Sequence, residues 1–188
     1  MQQLISRTDV VEAVKQAAAE TLRIDAATIR PDHSFVRDLG LESLDFLDID
    51  YRLEQTFGIK MARHFFLEHA EDLFGEGSAI DADGRLTSQA IELLKSRYDP
   101  ARLPDLSSGL DMDQVSGLIT VDSMSDAVMG ILNTLPERCA CGASAWKNGE
   151  GRRIVCGACG APAAYTNGDE LIRQWLTEIQ AERNLFSA

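Results

Sequence analysis

Four cysteines in two close pairs constrain this chain more than any other feature. Cys139 and Cys141 are separated by one residue, Cys156 and Cys159 by two, and fourteen residues lie between the pairs. The N-terminal residues contain neither a long apolar run nor a small-residue cleavage site. No segment approaches the ~18 consecutive apolar residues of a membrane span. A cytoplasmic protein is expected, in which thiols stay reduced. Reduced cysteine pairs at this spacing are a strong zinc signal. Two tight turns can each offer two thiolates, and zinc takes four in a tetrahedron. With Cys139, Cys141, Cys156 and Cys159 all consumed as ligands, the expected metal is structural. A redox Cys-x-x-Cys wants a βαβ context that is absent here, and disulfides fit a reducing compartment poorly.

The cysteines also mark a change of composition. The 188 residues carry a net charge of −12. Residues 1–135 hold 12 Lys/Arg against 24 Asp/Glu, whereas residues 136–188 hold six of each. Both tryptophans and all the cysteines follow Pro136. Two modules are expected, 1–135 and 136–188. The acidity argues against general nucleic-acid binding, because phosphate backbones are held by Lys and Arg. A hydrophobic fraction of 45% allows a packed core, and the low 6% of aromatics suits helices better than a β-sandwich.

Helical periodicity organises the first module. Val10, Val14, Ala17, Ala18 and Leu22 share a face and predict a helix over 9–22, with Asp9 and Glu12 at its start. Residues 23–42 read as a loop pinned by Ile24, Ile29, Phe35 and Leu39. A second helix is expected from Ser43 to Phe57, stopped by Gly58, with Leu44, Leu47, Tyr51 and Phe57 as its buried stripe. Asp38, Glu42, Asp45, Asp48, Asp50 and Glu54 crowd this stretch, and Arg52 is nearly their only counterweight.

The run Asp38-Leu39-Gly40-Leu41-Glu42-Ser43-Leu44-Asp45-Phe46-Leu47-Asp48, followed by Phe57-Gly58-Ile59, resembles the acyl carrier proteins. Their motif is Asp-Leu-Gly, a variable residue, then Asp-Ser-Leu. Glu42 departs from it but keeps the charge. Ser43 to Asp48 looks most like the specialised carriers of very long chains in lipid A synthesis. Thr120-Val121 through Leu132 is similar to the family's last helix. The resemblance implies a four-helix bundle and 4′-phosphopantetheine on Ser43, transferred from coenzyme A by a phosphopantetheinyl transferase. It also implies acyl-loading and acyl-consuming synthases whose basic surfaces dock on the six acids, and no catalysis by the carrier itself. The residues agree with it. Gly40 permits a tight turn, and Ser43 at a helix N-terminus suits a phosphodiester. The alternatives are a serine that only caps the helix and an acidic run that is only a solvated face.

Residues 61–119 form an insertion relative to a minimal carrier. Phe65, Phe66, Leu67, Ala70, Leu73 and Phe74 predict a helix over 62–74, and Ile91, Leu94 and Tyr98 another over 87–97. Asp99-Pro100 and Pro104 end the latter, and 105–119 reads as a loop opening with Ser107-Ser108-Gly109. Asp81-Ala82-Asp83-Gly84 reads as a turn rather than a calcium loop, because Ala79 and Ala90 fall where carboxylates are needed. The apolar insertion either shelters an acyl chain, supplies a partner surface, or fills a core.

In the second module, Ala145–Lys147 and Arg152–Val155 predict two strands around Asn148-Gly149, with a third short strand at 163–165. With the four cysteines this resembles a zinc ribbon, although Cys-x-Cys replaces the usual two-residue spacing of the first pair. A helix is expected over 169–183, with Leu171, Ile172, Trp175, Leu176 and Ile179 as its stripe. His33, His64 and His69 read as surface or loop residues. The fold class is mainly α: a carrier-like bundle with a helical insertion, a zinc ribbon and a terminal helix. A competing function is a scaffold whose ribbon recruits partners beside an unmodified carrier-like half.

Overall fold

The computed structural model describes residues 4–98, 103 and 110–186. It is mainly helical, as expected. The helices are α1 (Arg7–Leu22), α2 (Ser43–Phe57), α3 (Phe66–Phe74), α4 (Ser88–Arg97), α5 (Met112–Ser116), α6 (Val121–Leu132) and α7 (Gly168–Arg183). One antiparallel hairpin joins β1 (Trp146–Asn148) to β2 (Ile154–Cys156). The chain forms two compact units, each from two stretches. One comprises Met1–Met61 with Thr120–Gly168, the other Ala62–Ile119 with Asp169–Ala188. Compactness thus groups the cysteine segment with α1, α2 and α6, and the last helix with the insertion. The division at Pro136 is one of charge and cysteine content.

In the first unit, α1 packs on both α2 and α6. It starts at Arg7, two residues earlier than expected, because Ser6 and not Asp9 is the cap. Ser6 Oγ accepts from the Asp9 amide at 3.1 Å, and the Asp9 carboxylate accepts from the Ser6 amide at 3.1 Å. Two helix-start donors are satisfied reciprocally. These bonds, the Ser6 hydroxyl foremost, hold the Asp9 carboxyl below its ordinary value. α1 buries Val10, Val14, Ala17 and Ala18 as predicted, together with Val11, Ala13 and Ala19. Polar ties fix the neighbours. Thr21 Oγ1 donates to Asp48 at 2.7 Å, Arg52 pairs with both Asp48 and Glu20, and Arg7 reaches Asp122 and Asp126.

The buried stripe of α2 differs from the one the sequence predicts. Ile49, Leu53 and Phe57 are buried, and Phe46 meets Phe35 edge-on at 5.7 Å. Leu44, Leu47 and Tyr51 are 77%, 53% and 59% exposed. The sequence offers two apolar rows at helical spacing, and periodicity alone does not say which one faces the core. In the loop before α2, Ile29, Phe35 and Leu41 are buried, whereas Ile24 is exposed and Leu39 only half-buried.

The second unit has its own core. Phe66, Leu67, Ala70, Leu93, Leu94, Leu110, Val115 and Leu118 pack with Ile172, Leu176 and Ile179 of α7. Phe65 and Phe74 lie partly buried against it. The insertion's phenylalanines therefore fill a core built with the last helix. Residues 105–119, read as a loop, contain α5, whose start is closed by Asp111 accepting from the Gln114 amide. Asp81 forms the expected turn by accepting from the amides of Asp83 and Arg85, both at 2.9 Å. Asp99-Pro100, Pro104 and Ser107-Ser108-Gly109 lie outside the described residues.

α3 begins at Phe66 rather than 62 because the preceding amides find other acceptors. Arg63 and His64 donate to Asp169 Oδ1 at 2.9 and 3.2 Å, and Phe65 to Glu68 at 2.7 Å. His69, expected at the surface, is fully buried. Its Nε2 lies 2.9 Å from Asp169 Oδ1, and its Nδ1 accepts from Arg173 Nε at 3.3 Å. Burial pushes the Asp169 carboxyl up, but the bonds from His69, His64 and Arg63 together hold it below the ordinary value of 3.8. A carboxyl depressed in the folded state contributes stability above its unfolded pKa and loses it as pH falls through the folded one. Asp169→Asn should therefore cost about 1–2 kcal/mol at neutral pH. The gap between the melting curves of the two proteins should begin to narrow as pH falls below the ordinary value of 3.8 and close as it passes the lowered folded-state value; a gap that does not narrow with acidification contradicts the assignment.

Candidate functional site

The stretch ahead of α2 is a folded turn. The Ser34 amide donates to Asp38 Oδ2 at 2.7 Å, the Arg37 amide to Ser34 Oγ at 3.1 Å, and the Leu41 amide to the Phe35 carbonyl at 2.9 Å. Gly40 has φ +71°, which strains any side chain, and the space where its Cβ would stand is open. The turn delivers Glu42, in extended conformation, as the N-cap residue of α2. The Glu42 amide donates to Asp45 Oδ2 at 2.8 Å.

Ser43 is the first residue of α2 and is exposed. Its hydroxyl has no hydrogen-bond partner among the described residues. Glu42 holds the cap position, so capping does not engage Ser43. The first turn's backbone N–H groups and the dipole of a 15-residue helix lie at its foot. An exposed, unengaged hydroxyl beside an open turn and a helix N-terminus fits a phosphodiester-linked arm.

The six acids around Ser43 have several internal duties. Asp38 closes the turn and Asp45 holds the Glu42 amide. Asp48 accepts from Thr21 and from Arg52, which hold its carboxyl below the ordinary value. Glu54 is buried, accepting from the Met61 amide at 3.0 Å and from Lys60 Nζ at 3.1 Å. Glu42 is exposed and Asp50 half-buried. Leu44, Leu47 and Tyr51, read from the sequence as a buried stripe and so missed as surface residues, form an exposed apolar row leading away from Ser43. The offset row Phe46, Ile49, Leu53 and Phe57, with its larger aromatic share, was the available signal that Leu44 and Leu47 face outward.

The four cysteine sulfurs meet as the spacing predicts. They all lie within 4.8 Å of one another. Cys139 to Cys159 and Cys141 to Cys156 are each 3.7 Å apart. Four thiolates at ~2.3 Å from a zinc ion define a tetrahedron with edges of about 3.8 Å. Cys139 and Cys156 are buried, Cys141 and Cys159 exposed. The amides of Cys159 and Ala158, followed by the neighbouring thiols, pull the Cys156 thiol down to about 6. Cys159 receives the Ala161 amide, yet the sulfurs of Cys141, Cys139 and Cys156 push it up to about 12.

Each cysteine pair turns on a glycine. Gly142 and Gly160 have φ +88° and +75°, and their amides donate to the carbonyls of Cys139 and Cys156 at 2.8 Å. The hairpin pairs Trp146 with Cys156, Lys147 with Val155 and Asn148 with Ile154. Its turn is wider than Asn148-Gly149 predicts. The Gly149 amide donates to the Arg153 carbonyl at 2.7 Å, and left-handed Gly151 sits at the tip. In place of a third strand there is a single bridge between Val155 and Pro162.

Comparison with known proteins agrees with this geometry. A family profile described as "Phosphopantetheine attachment site" matches residues 12–71, from within α1 through α2 into α3. The chain is 46% identical over 54 residues to the acyl carrier protein AcpXL of Rhizobium etli, covering 29% of this chain and 59% of that protein. It is 37% identical over 70 residues to AcpXL of Mesorhizobium japonicum, covering 37% and 73%. It is 35% identical over 69 residues to an acyl carrier protein of Helicobacter pylori, covering 37% and 83%. The chain thus spans 59% of the length of the Rhizobium etli relative. No solved structure matches. With the match to the phosphopantetheine attachment family and relatives covered over most of their length, the chain belongs to the acyl carrier protein family.

Proposed function

We propose that this protein holds acyl groups as thioesters on a 4′-phosphopantetheine arm attached to Ser43, in fatty-acid or specialised lipid biosynthesis. The observation that carries the reading is the exposed, unengaged Ser43 hydroxyl at the start of α2, inside the matched family region. The arm supplies a terminal thiol for thioester exchange. This chain's part is to present Ser43 and to be recognised. Its acyl cargo belongs to the very-long-chain class on the strength of the Ser43–Asp48 run. Incubation with coenzyme A and a broad phosphopantetheinyl transferase should add one arm by intact mass, and no gain would favour the scaffold reading.

The partners are the transferase and acyl-handling synthases with basic, partly apolar faces. Asp38, Glu42, Asp45, Asp48 and Asp50 would steer such surfaces, an on-rate effect that weakens with salt. Glu54, buried and paired, drops out of the docking set. The exposed row Leu44, Leu47 and Tyr51 supplies the apolar contact. Leu47→Ala should slow arm transfer by about 10-fold while leaving stability within about 0.5 kcal/mol. An unchanged transfer rate would remove Leu47 from the interface.

Cys139, Cys141, Cys156 and Cys159 would hold one structural zinc in a ribbon-like hairpin. What supports this is the 3.7 Å sulfur spacing, the glycine turn after each pair, and a hairpin of only three residue pairs. No helix is long and apolar enough to cross a membrane among the described residues.

A further inference from the structure

We infer that the cysteine hairpin clamps the C-terminal end of α2, so that the metal bound by the four cysteines sets how firmly the helix bearing Ser43 is fixed. This rests on the zinc reading above. Arg153 immediately precedes β2, and β2 ends at Cys156. Arg153 Nε donates to the Gln55 carbonyl at 2.9 Å, and its Nη2 to Gln55 Oε1 at 3.2 Å. The Gln55 carbonyl is one of the last four in α2 and lacks an intrahelical partner. The last turn of α2 contains no basic residue, so Arg153 brings the cation that a helix C-terminus favours. Its stem lies along Gly58, the left-handed cap, where a Cβ would stand 3.7 Å from Arg153 Cγ.

A second strap reaches the same end of the helix. β2 holds the segment that follows the cysteines. The Cys156 amide donates to the Ala161 carbonyl at 2.8 Å, and the Ala163 amide to the Ile154 carbonyl at 2.9 Å. That segment runs on to Gly168, whose amide donates to the Lys60 carbonyl at 2.9 Å, just past the Gly58 cap. Both straps depend on the position of β2. A two-stranded hairpin is marginal by itself in water, and its three residue pairs leave the thiolate–metal bonds as the main lock on its register. With the metal removed, Arg153 and the 161–168 segment lose the strand that aims them. The end of α2 then loses the Arg153 cation and the Gly168 strap on Lys60, while the Glu54–Met61 bond and the contacts with α1 persist.

Hydrogen exchange read by mass spectrometry on the full chain tests this, with zinc bound and after chelation with a high-affinity chelator. Exchange of the amides over 54–60 should rise about 2- to 5-fold on chelation, the range for a cation at an exposed helix end. Arg153→Met with zinc bound should raise exchange over 54–60 while 139–159 stays protected, and Arg153→Lys should restore part of the loss. Chelation that exposes 139–159 but leaves 54–60 unchanged would overturn the clamp while leaving the metal site standing. A protein that binds no zinc by metal analysis overturns both.

Discussion

Ser43→Ala is expected to take up no phosphopantetheine while melting with the parent protein. The loss should be complete, because no other hydroxyl in the turn can substitute. Ser34 is 5% exposed, and its Oγ accepts from the Arg37 amide. The stability should be unchanged for three reasons. The Ser43 side chain is exposed and makes no hydrogen bond among the described residues. Glu42, not Ser43, occupies the cap. Alanine is also the better helix former, by a few tenths of a kcal/mol. A variant that unfolds would show that Ser43 has a structural role. A variant that still gains an arm would move the attachment elsewhere.

The second large effect is expected at the metal centre. Cys156→Ser should reduce bound zinc from one per chain to well below half and unfold the hairpin. Cys156 is fully buried, it ends β2, and its amide and carbonyl hold Ala161 and Gly160. Structural zinc sites bind with about 10–16 kcal/mol of apparent free energy, most of which is stability that the small hairpin lacks without the metal. Metal analysis by mass spectrometry, paired with a thermal scan, reads both consequences. Full zinc occupancy in the variant would contradict the four-thiolate site. Retained stability without metal would show that the hairpin folds on packing alone.

Much of the carrier segment was legible because its signals are local. The Ser43–Phe57 bounds follow from the glycine stop and the turn ahead of the helix, and Val121–Leu132 from the Thr120 cap. The cysteine cluster was legible because short loops bring each pair together whatever the rest of the chain does. The readings that failed were ones decided by distant packing. Leu44, Leu47 and Tyr51 have the same spacing as a core stripe, and it is the packing of α1 against the other face of α2 that leaves them outward. Glu54 looked like one more surface acid until the chain beyond Gly58 folded back and offered it the Met61 amide. His69 was unreadable for the same reason, since its partner Asp169 lies 100 residues away. The last helix, too, follows the cysteine segment in sequence, where only a small hairpin is at hand to pack on. Its stripe instead packs with the insertion, so the residues that looked like two separate additions share one core.

Site-resolved mass spectrometry of the protein purified from its native host tests the central claim most directly. The peptide containing Ser43 should carry 4′-phosphopantetheine, with an acyl group on the thiol that hydroxylamine releases. A Ser43 peptide that is bare throughout, or an arm on another residue, would contradict it.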